Sequence, residues 1–193
     1  MGRPNLLKQR KPELLPLVSK TFAEYGYAGT TTSAIAQNCN LPENVLFRLW
    51  PNKKAMFIDA VDFIYENNVR IWTEVLAALP KGTGPLEFLL DYESKHIGEL
   101  GNFRIVFAGL GNSDDPDLKF AVRNLYHKFH KFLVGLFSKY VKTKQGDLSV
   151  DSLAWGFIGL GTVINIANDT GLLGPRNRKV VFAEVGRALL QSM

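Results

Sequence analysis

Cysteine is nearly absent. The 193 residues hold one, Cys39, so no disulfide can form within the chain. That usage fits a reducing compartment. Histidine is scarce too, at three residues. His127 and His130 share a helix face, but no Cys or Glu at a matching spacing completes a metal site with them. Strand patterning is missing, since no segment sustains apolar–polar alternation between hairpin turns. The longest apolar run, Leu153 to Ala167, is about 15 residues, contains Asn165, and is short of the ~20 that a membrane span requires. The first residues, MGRPNLLKQRKPELL, are charged early and lack a signal-peptide run. Leu6 stands where a myristoylation motif takes Ser or Thr. A soluble, cytoplasmic chain without a membrane partner is expected. Gly109/Gly111 and Gly159/Gly161 lack the strand and acidic partner of a nucleotide fingerprint. With no catalytic constellation either, neither an enzyme nor a cofactor is expected.

What is present is ordinary globular composition, with 46% hydrophobic and 21% charged residues. At roughly 150 residues per domain the length allows one or two domains. The net charge of +5 is unevenly placed. Residues 1–54 carry eight basic side chains (Arg3, Lys8, Arg10, Lys11, Lys20, Arg48, Lys53, Lys54) against Glu13, Glu24 and Glu43, and the rest of the chain is balanced. A small basic module on a neutral body suggests a polyanion site on the module.

Periodicity predicts an all-α chain of about nine helices. The first spans about Glu13 to Tyr25 on the stripe Leu14, Val18 and Phe22, with Pro16 arguing for a late or kinked start and Gly26 as its stop. Short helices follow over Thr32–Asn38, with Thr31 as N-cap, and from Pro42 to Leu49 or Trp50. Longer ones are expected over Lys54–Leu79, Leu86–Leu100, Phe103–Leu110, Pro116–Lys142, Val150–Thr170 and Lys179–Gln191. The stripe of the 116–142 helix is Leu118, Val122, Leu125, Phe129, Phe132, Leu136 and Tyr140. The 150–170 helix is apolar almost all round and should be buried on several sides, with Gly156, Gly159 and Gly161 allowing a close helix approach.

Three short helices with a tight turn before the third describe a helix-turn-helix, whose third helix enters the major groove. Leu46 and Trp50 would face its core. Glu43, Asn44, Phe47 and Arg48 are left for the groove, where Asn can pair with adenine and Arg can serve guanine or phosphate. Arg10, Lys11, Arg48 and Lys53 are candidates for phosphates. Thr31, Thr32 and Ser33 at the start of the second helix, and Pro42 at the start of the third, complete the expected DNA contacts.

Residues 22–56, FAEYGYAGTTTSAIAQNCNLPENVLFRLWPNKKAM, resemble the DNA-binding signature of the tetracycline-repressor (TetR/AcrR) family. The match lies in Phe22-Ala23-Glu24, Gly26-Tyr27, Thr30-Thr31, Ile35-Ala36, Leu46, Arg48, Pro51 and Lys53. The resemblance implies an all-α homodimer whose N-terminal domain (1–53) binds a palindromic operator of double-stranded DNA. It implies a C-terminal domain (54–193) that binds a small molecule and dimerises through its last two helices. This chain departs from the family pattern with Asn40 for a glycine, Pro42 for a serine, Glu43 for a lysine, Asn44 for a glycine, Val45 for a threonine, Phe47 for a tyrosine and Leu49 for a histidine. Asn40 tolerates the left-handed turn. The other changes make the reading surface atypical.

The helices of residues 86–165 hold candidates for contact with an apolar or aromatic effector: Tyr92, His96, Phe107, Tyr126, Phe129, His130, Trp155 and Asn165. A polar tip in an apolar stripe needs a partner, which singles out His96, Tyr126, His130 and Asn165. Helices 150–170 and 179–191, with Phe182, Val185 and Leu189, are the expected homodimer surface. The expected function is a ligand-responsive repressor. The alternative is a lipid- or ligand-binding protein of the same fold whose DNA reading is weak or lost.

Overall fold

The computed structural model describes residues 10–97, 103–112, 114–141 and 148–192. The basic residues Arg3 and Lys8, the helix ends expected at Leu100 and Lys142, and residues 143–147 lie outside them. All regular structure among the described residues is helical: α1 Lys11–Gly29, α2 Thr32–Asn38, α3 Glu43–Leu49, α4 Lys53–Ala77, α5 Pro85–His96, α6 Arg104–Leu110, α7 Pro116–Tyr140, α8 Val150–Asp169 and α9 Pro175–Gln191. Contacts group them into two compact units, Met1–Asn67 with Asn102–Leu125, and Asn68–Gly101 with Tyr126–Met193. Helices α4 and α7 contribute to both.

In the first unit α6 packs along α1, and α2 packs on both α1 and α3. Leu14, Val18 and Phe22 bury the α1 stripe as its spacing predicts. The ends of α1 differ from expectation. It begins at Lys11, with Pro12 in its first turn, and Pro16 sits inside without a break. The one non-helical residue is Gly26, at φ 70 and ψ 173, beyond which helix resumes to Gly29. Glycine takes that backbone without a Cβ clash, so Gly26 bends the chain rather than ending it. Phe22, Tyr27 and Phe57 cluster around this bend, with Phe57 edge-to-face to both other rings at centroid distances of 5.1 Å. Close approach falls at Gly109, where a Cβ would lie 2.5 Å from Val122 Cγ2 and 3.3 Å from the Phe57 ring.

The second unit is built on α5, α8, α9 and the adjoining parts of α4 and α7. Leu86, Leu133, Phe137, Leu153 and Ala154 form one core cluster, and Leu90, Ile97, Ile164 and Phe182 another. The α7 stripe shifts here. Leu133 and Phe137 are buried, while Phe132 and Leu136 pack at the rim of the cluster. Helix α9 starts at Pro175, a turn before the expected Lys179, because proline's fixed φ suits a first helical turn. The tight helix approach is at Gly186, against Leu90. Gly159 and Gly161 meet nothing within 4 Å, and Gly156 makes only ordinary contact with Leu189. Helix α8 is less enclosed than its composition predicts, for Trp155, Val163 and Ile166 are 44%, 60% and 40% exposed. Its 20 residues exceed the apolar run, so by length and composition it passes the test for a membrane span. Packing of Leu153, Ala154 and Ile164 into the core clusters accounts for one side of that apolarity.

Candidate functional site

The reading head is assembled from short-range bonds. Thr31 caps α2, its hydroxyl accepting the Ala34 N–H at 3.1 Å. The turn to α3 passes through Asn40 at φ 50, the left-handed conformation its amide side chain tolerates. Cys39 is buried beside it, and burial pushes its thiol up, away from thiolate chemistry. Leu46 and Trp50 are fully buried, and the Trp50 indole N–H donates to Asp59 at 2.8 Å. Burying those two, four residues apart, turns the opposite side of α3 outward. Asn44, Phe47 and Arg48 are exposed there, as are Ser33 on α2, Pro42 and Arg10.

Besides Thr31, four expected DNA contacts are engaged within the first unit: Lys53, Lys11, Glu43 and Thr32. Lys53 donates to the carbonyls of Tyr27 at 2.9 Å and Thr30 at 3.0 Å, and its ammonium lies 4.6 Å from the centroid of the Tyr27 ring. It therefore ties the start of α4 to the end of α1. Lys11 pairs with Asp59 at 2.5 Å and lies over the Trp50 ring. Glu43 accepts a hydrogen bond from the Thr32 hydroxyl, which links the first turns of α2 and α3. Lys54 bridges Asp115 and Asp117 at 2.7 and 2.9 Å, and these hydrogen bonds hold its ammonium well above the usual range. Asp115 in turn caps α7 through the N–H groups of Asp117 and Leu118. Lys54, the caps and the hydrogen bond from Lys53 to Thr30 all lie within the first unit.

This helix-turn-helix agrees with the outside comparisons. Residues 19–60 match the model of bacterial regulatory proteins, tetR family. Over that segment the chain carries the TetR-family DNA-binding motif. A TetR-family regulator from Cytophaga hutchinsonii superposes over 99% of this chain and 96% of its own, with TM-score 0.76 and 18% identity. AibR, solved with isovaleryl coenzyme A and operator DNA, covers 90% of this chain and 96% of its own, with TM-score 0.62 and 15% identity. At those identities the likeness is one of fold. Among curated proteins, YuxN of Bacillus subtilis (strain 168), an uncharacterized HTH-type transcriptional regulator, is 24% identical over 79 residues. That stretch is 41% of this chain and spans about a quarter, 26%, of YuxN.

The body candidates separate. Phe107 belongs to the first unit, edge-on to Phe103 with centroids 5.7 Å apart. The others lie in the second. Tyr92 and His96 stack at 4.2 Å, with His96 Nδ1 2.8 Å from the Tyr92 carbonyl. Phe129 is buried against Trp72. His130 stacks on Trp155 at 4.6 Å, and its Nε2 lies 3.1 Å from the Asp151 carboxylate without the alignment of a hydrogen bond. Tyr126 reaches the Thr162 hydroxyl at 3.5 Å. Asn165 donates to the Gly161 carbonyl on its own helix, so its polar tip is satisfied locally.

Glu93 was missed by sequence reasoning. The α5 stripe runs Leu86, Leu89, Leu90 and Ile97, all buried, and Glu93 falls in its register. A carboxylate at an apolar position of a helix was the available signal. Its Oε1 accepts the Trp72 indole N–H at 2.5 Å. Desolvation pushes its carboxyl above the ordinary range, against the pull of that bond and of His96. No group of three or more His, Cys, Asp or Glu that could hold a metal occurs among the described residues.

Proposed function

We propose that this chain is a cytoplasmic, ligand-responsive repressor that binds a palindromic operator as a homodimer. Residues 1–53 would read DNA, and residues 54–193 would bind the effector and dimerise. The observation that carries the reading is the outward side of α3, where Asn44 and Arg48 are exposed at a helix-turn-helix packed on Leu46 and Trp50. Their amide and guanidinium groups suit base edges, and Arg10 and Arg48 suit phosphates. With Glu43 bonded to Thr32, its charge is partly occupied within the protein, which lessens the objection to an acid near phosphates.

The dimer reading rests on α8. Trp155, Gly159, Val163 and Ile166 recur at four-, four- and three-residue spacing, so they share one face, and all four are exposed in the single chain. A second copy related by a two-fold axis would bury that face and set two heads at a fixed separation. Effector binding would then shift the population toward a head spacing that no longer fits the operator. AibR, which has been solved with both an acyl coenzyme A and operator DNA, supports a body of this fold coupling two ligands.

The test is selection of duplexes from a random pool, followed by titration of the enriched sequence at two salt concentrations. A palindrome bound with a steep salt slope is the expected result. No enriched motif from a folded dimer would overturn DNA reading and favour a ligand-binding protein with a disused head, the reading to which Val45 and Phe47 would then belong. Release of the bound duplex by small-molecule fractions tests the effector.

A further inference from the structure

We infer that the second unit holds an anchor for a cationic effector: Glu93 as counter-ion, bonded to Trp72, with the ring pairs Trp72–Phe129 and Tyr92–His96 as its aromatic frame. This rests on the reading of that body as effector-binding and names the chemical class it takes, an organic cation or protonated amine on an apolar frame.

Glu93 occupies a position that the rest of its helix face fills with leucine and isoleucine. A carboxylate drawn into such surroundings is costly unless its charge is balanced. The one hydrogen bond described for it comes from the neutral Trp72 indole, at 2.5 Å. Among the described residues no lysine or arginine pairs with it. Its basic neighbour is His96, whose Nδ1 is turned to the Tyr92 carbonyl at 2.8 Å. The rings nearby can share a cation. Trp72 lies 5.7 Å from Phe129, and Tyr92 and His96 stack at 4.2 Å one helical turn apart. Aromatic faces attract cations, and tryptophan does so best. A carboxylate fixed by an indole N–H, beside aromatic faces and without a cation of its own, has the chemistry to recognise a quaternary or protonated amine. A neutral effector would leave that charge unbalanced.

The experiment uses the full chain and two probes of one shape, benzyltrimethylammonium and its uncharged carbon analogue neopentylbenzene, titrated by calorimetry. The cation should bind at least about tenfold more tightly than the analogue. Glu93→Gln keeps a carbonyl to accept the Trp72 N–H and removes the charge. It should erase most of that preference and leave affinity for neopentylbenzene within about twofold. Trp72→Phe, which retains the carboxylate, should keep a reduced preference for the cation. Equal affinity of the wild-type protein for the two probes would overturn the anchor while leaving an apolar effector body standing. So would a preference that Glu93→Gln leaves intact. Failure of the cation to bind at millimolar concentration would overturn the cationic class, and the duplex-release assay would decide separately whether the body takes an effector at all.

Discussion

The head and the body of this chain are both helical, yet their residues are fixed by different means. In the head, most of the motif residues serve as scaffold. Phe22, Ile35 and Leu46 are fully buried, Thr31 caps a helix, and Lys53 binds two backbone carbonyls. The side chains turned to solvent, Asn44, Phe47 and Arg48, stand where this chain departs from the family pattern or keeps a multipurpose cation. In the body, the aromatic and polar residues pair with one another or with their own helix, as Tyr92 does with His96 and Asn165 with Gly161. A short module of adjacent helices carries its recognition code on one face. A ligand site draws on residues far apart in sequence, as Trp72 and Glu93 are. The lesson is that a motif reports the frame of a site more faithfully than its chemistry.

Trp50→Ala probes the frame most severely. Removing a fully buried indole should cost about 3–5 kcal/mol and leave Lys11 as the remaining partner of the Asp59 carboxylate, read by denaturant unfolding. DNA binding should fall with it. Asn44→Ala and Arg48→Ala probe the reading face instead. Each should weaken binding to the selected operator by about 1–3 kcal/mol. Stability should hold within about 0.5 kcal/mol, since both are exposed. Affinity losses that track melting losses would dissolve the distinction between frame and reader.

Glycine substitutions compare the two units directly. Gly109→Ala would drive a Cβ to 2.5 Å from a branched valine methyl and 3.3 Å from the Phe57 ring, for a destabilisation of about 1–3 kcal/mol. Gly186→Ala meets the end of the Leu90 side chain at 2.5 Å, which can rotate away, so its melting temperature should drop less. A larger loss at Gly186 would make the body the more tightly packed unit. The smallest effect is expected from Glu93→Gln. Desolvation raises the folded carboxyl above its ordinary value of 4.5. Stability from this group is therefore complete below that value and declines as pH rises through the folded pKa. Glu93→Gln should melt higher than wild type at neutral pH and converge with it below about pH 4.5. A constant difference across that range would remove the electrostatic account of Glu93.

Helix positions were legible because apolar stripes and caps are local. Leu14, Val18 and Phe22 predicted the buried face of α1, and Thr31 its neighbour's cap. Pro16 misled because it removes a single N–H bond, to the Pro12 carbonyl, from a helix that continues past it, whereas Gly26 bends the chain through its φ of 70. The glycines of α8 were read as contacts from composition alone. Which glycines lie under another side chain depends on helix orientation, which set Gly156 against Leu189, left Gly159 and Gly161 open, and put the tightest approaches at Gly109 and Gly186. Within the candidate site, the outward set Asn44, Phe47 and Arg48 followed from the burial of Leu46 and Trp50. The engagement of Lys53 with Tyr27 and Thr30, and of Lys11 with Asp59, did not, because those partners are 23 or more residues distant.

The bond between Thr32 and Glu43 bears on any attempt to re-engineer this protein toward its relatives. Exchanging Glu43 for the lysine usual in the family looks like a simple gain of attraction for DNA. It would also cut the link between the first turns of α2 and α3 and set a cation beside a hydroxyl that had been donating to an anion. A consensus graft at that position therefore alters docking angle and charge together, and the serviceable unit of exchange is the pair of residues 32 and 43.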